Sequence, residues 1–512
     1  MGMILTAAHG ILAFASKYTA KRFVANADNL QFIQQQKLSE ILKLLGKTDL
    51  NYQQFQQHYP LTRYAAWREV IEQSRLSGRN ALGKEVIQRF QPTSGSSEQL
   101  KYIPYTAGFL KELDQAIALW IYDLYQQYPA LKQGTHYWSV SWLPESLRQH
   151  GERENLNNDH ALLNFSKRLL SGLTQSVPTD IAYAKTAEAA MFATAVYLVA
   201  DPKLALISVW SPTFALQLLD LISQKQHEIV GVLRSGQWPN QNFAKLKAPH
   251  RPQRAKQFAR LDLKTSQAWQ QLWPKLCLLS SWDTASASSW AIQLQQRLPH
   301  VSFQAKGLWA TEAVVTIPYQ QYFPLMYHAH FYEFLTTDGQ VLPAWQLQQD
   351  QIVSPVVTTA AGLLRYIIDD ELQVTGFIKD VPCFKFLGRK LTVDMVGEKI
   401  DHVTAQQLLQ QLQTEGYRTL SLLGIAGGEQ YKPYYALLSE GDAEQQPSAA
   451  ELDHLLKRNF HYELARDLGQ LAAPMVLHVA DGWAHYKRLA MHNGMVEGNI
   501  KPEPLKQFAQ YF

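Results

Sequence analysis

Cysteine is almost missing from this chain: its 512 residues contain only Cys277 and Cys383. Two thiols cannot build a disulfide framework, which excludes the small stapled secreted classes and fits a reducing cytoplasm. Both read as small buried hydrophobes. Charge is sparse as well. Only 18% of residues are charged, and 48 basic against 44 acidic side chains leave a formal +4. With no dense Lys/Arg run, nucleic acid is not an expected partner. Long apolar runs are absent too, so no segment reaches the roughly 20 residues of a membrane span. Residues 4–15 come nearest. No Lys or Arg precedes them and His9 and Gly10 interrupt them, so they read as a buried N-terminal helix and not as a secretion signal.

What is present is a globular composition, 46% hydrophobic, on a chain too long for one ordinary core. The first ninety residues read as helical, with Phe32, Leu38, Ile41, Leu42 and Leu45 spaced for one face. Helical periodicity returns from Phe109 to Leu124, with Thr106 as the expected N-cap. An apolar helix is expected over 180–199. Beyond it, strand patterns at 204–210, 276–282, 301–305, 326–334 and 372–377 alternate with helices, which predicts α/β layers around a largely parallel sheet. A boundary is expected near Phe386-Leu-Gly-Arg-Lys390. The chain then divides into a large domain, 1–388, and a small α+β domain, 389–512, with a hinge at 388–391.

One loop carries chemistry. Thr93-Ser94-Gly95-Ser96-Ser97 sets a glycine among four hydroxyls, with Lys101 just downstream. Backbone N–H groups and hydroxyls can bind phosphate oxygens there, and Gly95 permits close approach. The Walker pattern is excluded, because it needs glycine directly before Lys-Ser/Thr at a helix start. Here Lys101 runs into Tyr-Ile-Pro104, and Pro104 keeps the preceding residue extended. Such a loop suits ATP-dependent activation of a carboxylate better than γ-phosphate transfer.

Further segments follow in order: Lys306-Gly-Leu-Trp-Ala-Thr-Glu312, His330-Phe-Tyr-Glu-Phe334, Thr358-Thr359 through Asp370, Phe386-Leu-Gly-Arg389 and Gly498-Asn-Ile-Lys-Pro502. Together with the 93–101 loop they resemble the acyl-adenylate-forming superfamily of luciferase and acyl-CoA synthetases. Within it the chain is most similar to the Gretchen-Hagen (auxin-responsive promoter) family of acyl acid amido synthetases, in its bacterial form. The resemblance covers essentially the whole chain.

It implies an acyl-adenylate-forming large domain, a mobile small domain, ATP and Mg²⁺ as cofactors, and a role for each matching residue. Thr93, Ser94, Gly95, Ser96 and Ser97 would hold phosphates, and Lys101 would place a charge on the departing pyrophosphate. Glu312 would bind Mg²⁺ and act in catalysis, with Thr311 beside it and Trp309 against the adenine. Asp370 would accept the ribose hydroxyls. Phe377, ending the strand that follows Asp370, is assigned to the nucleotide set. Arg389 marks the hinge, and Lys501 would reach the site when the small domain closes. His328 and His330, two apart on a strand, read as structural or substrate-lining and not as zinc ligands. Tyr105, Trp210 and the aromatics around Phe331 are candidates for an apolar acyl pocket.

Two departures stand out. Glu98 occupies a place that is commonly glycine. Facing a triphosphate at about 4 Å it would cost about 4 kcal/mol at an effective dielectric near 20, so it should point to solvent, or be compensated by Mg²⁺ and Lys101. Tyr366-Ile-Ile-Asp-Asp370 replaces the family's Tyr-Arg-x-Gly-Asp. The expected reaction is adenylation of a carboxylic acid with loss of pyrophosphate, then transfer of the acyl group to an amine, foremost that of an amino acid. Thioester formation with CoA, or a degenerate nucleotide-binding protein, are the alternatives. The expected partners are small molecules, with no membrane insertion.

Overall fold

A computed structural model describes residues 2–93, 101–139, 172, 174–243, 246–284, 287–389, 392–393, 395–396, 398, 400–426, 432–467, 469–493, 495 and 500–508. The helix Gly2–Ala25 turns Leu5, Ala8, Leu12, Ala20 and Phe23 inward and packs along the helix Ala107–Gln127. The latter begins where expected, the Thr106 hydroxyl accepting from Phe109 N–H at 3.2 Å. The helix Leu30–Leu44 buries Leu38, Ile41 and Leu42, but Phe32 faces solvent, against its expected place in the core stripe. Gln34 takes the buried position instead. Its amide donates to Tyr327 O and His330 O and accepts from Tyr332 N–H. Three saturated backbone groups outweigh the burial of one ring, because each would otherwise be desolvated and unpaired.

The hydroxyl-rich loop joins an antiparallel hairpin, β1 (Ile87–Thr93) and β2 (Lys101–Thr106). A parallel sheet follows, with β3 (Thr135–Trp138), β4 (Leu204–Ser208), β5 (Leu278–Ser281) and β6 (Ser302–Ala305) adjacent in that order. β4 and β5 are buried at every position, as strands covered on both faces must be. The expected 180–199 helix starts only at Ala187, because the Thr186 hydroxyl caps it by accepting from Ala189 N–H.

The expectation of a largely parallel sheet holds for this part alone. β7 (Phe331–Thr336), β8 (Val341–Pro343), β9 (Ile352–Thr358), β10 (Tyr366–Ile367), β11 (Asp370–Ile378) and β12 (Val381–Arg389) form a second, antiparallel sheet. β11 and β12 are joined by two residues, a connection too short for a parallel pair. The strand expected from 326 starts at Phe331, because Ala329 N–H closes a turn on Met326 O.

Past β12 lies a separate C-terminal α+β domain. A short pair, β13 (Thr392–Val393) and β14 (Ile400–Asp401), leads into a mixed sheet of β15 (Tyr417–Ile425), β16 (Tyr434–Gly441), β17 (Met475–His478) and β18 (Leu505–Phe508). Alternation puts Leu422 and Leu437 on one face, with the helices His402–Leu412 and Ala449–Leu456. Leu423 and Leu438 lie on the other, with the helix Gly482–His492.

Candidate nucleotide site

The phosphate-type segment lies between two antiparallel strands and not between a strand and a helix. Thr93 and Lys101 face each other across it, which accounts for the missing helix-opening glycine. Ser94, Gly95, Ser96, Ser97 and Glu98 lie outside the described residues, so their expected roles and the outward turn of Glu98 remain expectations. The Lys101 ammonium sits 5.5 Å from the centre of the Tyr64 ring.

Two phenols reach the Thr-Glu segment, one of them from this hairpin. Tyr105, on β2, donates its hydroxyl to Thr311 O at 3.0 Å. Tyr366, on β10, donates to Glu312 Oε1 at 3.3 Å. Burial first, then the Glu312 charge, pushes the Tyr366 phenol far up, with Asp369 and Tyr64 adding smaller contributions, so it remains a donor. Glu312 is half-buried and has its other oxygen, Oε2, available. Tyr105 is thus a strut beneath Thr311, and not an open pocket wall.

Tyr366 is itself held by an anchor. Arg365, with left-handed φ of 47°, makes a bidentate pair with Glu333 at 2.9 and 3.0 Å, and both side chains are buried. The guanidinium also donates to Tyr59 O and Gln56 O. His330 donates through Nδ1 to Glu112 at 2.8 Å and accepts Val314 N–H at Nε2, which fixes it as a neutral structural ring. Phe331 is fully buried against Phe55, Leu38 and Leu364, and so belongs to a core cluster and not to an acyl pocket. His328 packs against Tyr327 and Phe23.

The third wall is aromatic and stands at the carboxyl ends of the parallel strands, where open α/β sheets bind ligands. Trp210 follows β4, Trp282 follows β5, and Trp309 lies just past β6. Trp210 is 5.7 Å from Trp282 and 6.0 Å from Trp309, centre to centre. Lys306 is threaded through the wall, 4.4 Å from the Trp120 ring and 4.6 Å from Trp210, donating to Ser208 Oγ at 2.9 Å. A Cβ on Gly307 would lie 2.3 Å from Thr316 O, so only glycine lets this segment pass. Lys501, from the C-terminal domain, rests 3.8 Å from the Trp282 ring centre. Thus Lys501, Trp309 and Glu312 are brought to one edge of the large domain.

A cavity of about 170 Å³ opens beside this wall, lined among others by Asp283, Lys306, Leu308, Leu372, Phe384 and Phe386. Asp370 is buried on the same face of β11 as Leu372, which lines the cavity. Its neighbour Asp369 pairs instead with Arg63 outside. The backbone of Arg389 lies opposite Asp370 across β11 and β12. Phe377 lies apart from Asp370. It stands seven residues away, roughly 23 Å along a strand, and is exposed, an odd separation placing it on the opposite face.

Among the described residues no group of three or more His, Cys, Asp or Glu could hold a metal. One carboxylate oxygen on Glu312 still fits Mg²⁺, which keeps several waters and takes substrate phosphates as its other ligands. Sequence reasoning missed Trp282 and Lys306 as wall residues. A usable signal was there: Trp282 ends, and Lys306 directly follows, a short run that reads as a strand.

Comparison with known proteins then gives the relationship. The family model described as the GH3 family N-terminal domain matches residues 19–303, and that of the GH3 family central domain matches residues 323–389. Similar curated proteins include the indole-3-acetic acid-amido synthetase GH3.3 of Arabidopsis thaliana, 28% identical over 129 residues, covering 24% of this chain and 21% of that protein. Another is indole-3-acetic acid-amido synthetase GH3.4 of the same plant, 32% identical over 102 residues, covering 18% and 17%. The chain is aligned with only about a fifth of the length of these relatives. The solved GH3.15 acyl acid amido synthetase superimposes with a TM-score of 0.75 at 16% identity, over 95% of this chain and 93% of that one, which establishes a shared fold. With its N-terminal and central parts both matched, the chain belongs to the GH3 family.

Proposed function

We propose that this GH3 family member is an ATP-dependent, AMP-forming acyl acid amido synthetase. A carboxylate oxygen of the acid attacks the α-phosphorus of ATP, the α–β phosphoanhydride bond breaks, and pyrophosphate leaves. An amine nitrogen, foremost that of an amino acid, then attacks the acyl carbon. The bond to AMP breaks and the nitrogen loses a proton. Positioning and charge neutralisation suffice for both steps, without a covalent enzyme intermediate.

What supports this reading is Glu312, held by Tyr366 and three residues past Trp309, together with an aromatic wall that Trp309 shares with Trp282, on which Lys501 rests. In this reading Asp370 takes the ribose hydroxyls and the adenosine enters the cavity beside Leu308 and Leu372, near Trp309. The 93–97 loop and Lys101 face the phosphates. Glu312 would hold Mg²⁺, which neutralises phosphate oxygens when bound. The amido synthetase names of the curated relatives support the amide-forming step. We place the hinge at 388–391, dividing 1–388 from 389–512, and the protein in the cytoplasm, in keeping with its two free thiols.

The test is product analysis. The protein, ATP and Mg²⁺ are offered a panel of carboxylic acids with either amino acids or CoA. An amide formed with one AMP and one pyrophosphate per turnover is expected. A thioester would replace the amine with CoA, and no product across the panel would overturn the reading.

A further inference from the structure

The contact between Lys501 and Trp282 joins the two domains at the site. The ammonium stands 3.8 Å from the indole centre, well within cation–π range. The neighbouring ring, Trp210, already carries the ammonium of Lys306. Two cations, one from each domain, therefore rest on neighbouring rings of one aromatic wall. A second contact sets the docking angle: Arg418 lies 4.3 Å over Trp290 of the large domain, and Trp483 stands 6.2 Å from the same ring. The C-terminal domain is thus seated on rings at two points.

We propose that Trp282 is a positioning residue for acyl-adenylate formation: its ring seats the Lys501 ammonium at the nucleotide edge while the C-terminal domain is docked. The proposal rests on the adenylating function proposed above. A lysine side chain has four rotatable bonds, and an exposed one samples many rotamers. A ring beneath the ammonium narrows that ensemble. Trp282 itself then needs no contact with substrate. It acts through Lys501.

Four proteins separate this from a structural role: the natural chain, Trp282→Ala, Trp282→Phe and Lys501→Ala. Acid-dependent ATP–pyrophosphate exchange reads the first half-reaction, and amide formation from a supplied acyl-adenylate reads the second. Trp282→Ala should lower kcat for exchange roughly five- to tenfold, the size of a lost cation–π contact, with KM for ATP nearly unmoved. The second half-reaction should change by less than about twofold, and Trp282→Phe should recover most of the loss. Adding Trp282→Ala to Lys501→Ala should cost nothing further, because the ring acts through the lysine. Additive losses, equal losses in both half-reactions, or a phenylalanine as poor as alanine would each overturn the proposal.

A readout independent of catalysis is the labelling rate of Lys501 by an N-hydroxysuccinimide ester, followed by peptide mass spectrometry. It should rise about two- to threefold in Trp282→Ala and return toward the natural value in Trp282→Phe. Equal labelling in all three overturns the seat. If the natural chain shows no exchange with any acid, the adenylating function falls, and the labelling still decides the contact.

Discussion

Two glutamates in this protein come from motifs that look equally functional in the sequence, yet their surroundings differ completely. Glu333 is fully buried and saturated: both oxygens meet the Arg365 fork, and Tyr52 and Gln56 also donate to Oε1. Glu312 is half-buried and receives one phenol on one oxygen. A buried carboxylate with both oxygens engaged holds a scaffold together. One with an oxygen to spare at a cleft edge can take a metal or a substrate. The two are linked, because Arg365 adjoins Tyr366, the donor to Glu312. The saturated pair therefore positions the unsaturated one.

The largest effect should come from breaking the saturated side. Glu333→Ala leaves a buried guanidinium uncompensated and should cost about 3–5 kcal/mol of stability. Replacing both Glu333 and Arg365 by apolar residues of similar size should restore part of that loss, read by urea unfolding. Glu312→Gln should do the reverse. Exchange activity should fall by about a hundredfold or more, roughly 2.7 kcal/mol at the transition state, while Tm moves by no more than about 2 °C. A Glu312→Gln that unfolds, or a Glu333→Ala that melts normally, would erase the distinction.

Acid sharpens the contrast from another side, because buried neutral histidines should govern the loss of stability below neutrality. Burial lowers the pKa of His136 to about 3, with His9 nearby adding to it, and burial lowers His328 to about 3, with Arg22 and Lys37 assisting. The unfolded value is about 6.5, so between these limits the unfolded chain binds protons that the folded one refuses. Their contribution is complete above about pH 6.5 and declines as pH falls toward 3, by roughly 2 kcal/mol per histidine at pH 5. A His136→Gln variant should show a shallower fall of Tm between pH 7 and 5. An unchanged slope would remove His136 from the account. The smallest effect concerns the link itself. Tyr366→Phe removes one hydrogen bond to a carboxylate and should lower exchange about five- to tenfold, with stability nearly kept.

Much of this was legible in the sequence because apolar spacing dictates local structure. The helix after Thr106, the buried runs of β4 and β5, and the alternation in the C-terminal domain all follow from it. Sheet direction was less so, since β11 and β12 read as strands whichever way they run. Phe377 stands an odd number of residues from Asp370, so strand alternation already put the two on opposite faces. The order of motifs placed Glu312 and Asp370 on the map. It could not tell that Glu333 and Arg365 satisfy each other, because that pairing spans 32 residues and depends on a left-handed backbone at Arg365. The aromatic wall was hidden for a similar reason: Trp120, Trp210, Trp282 and Trp309 meet only once the parallel sheet is assembled.

The central claim is that the edge bearing Glu312, Asp370 and Lys501 activates a carboxylate with ATP. Its most direct test is incorporation of labelled pyrophosphate into ATP by the natural protein with Mg²⁺, across a panel of apolar and aromatic carboxylic acids. The account predicts exchange that requires a particular acid and is lost in Glu312→Gln. Exchange that is absent with every acid, or that persists undiminished in Glu312→Gln, would contradict it.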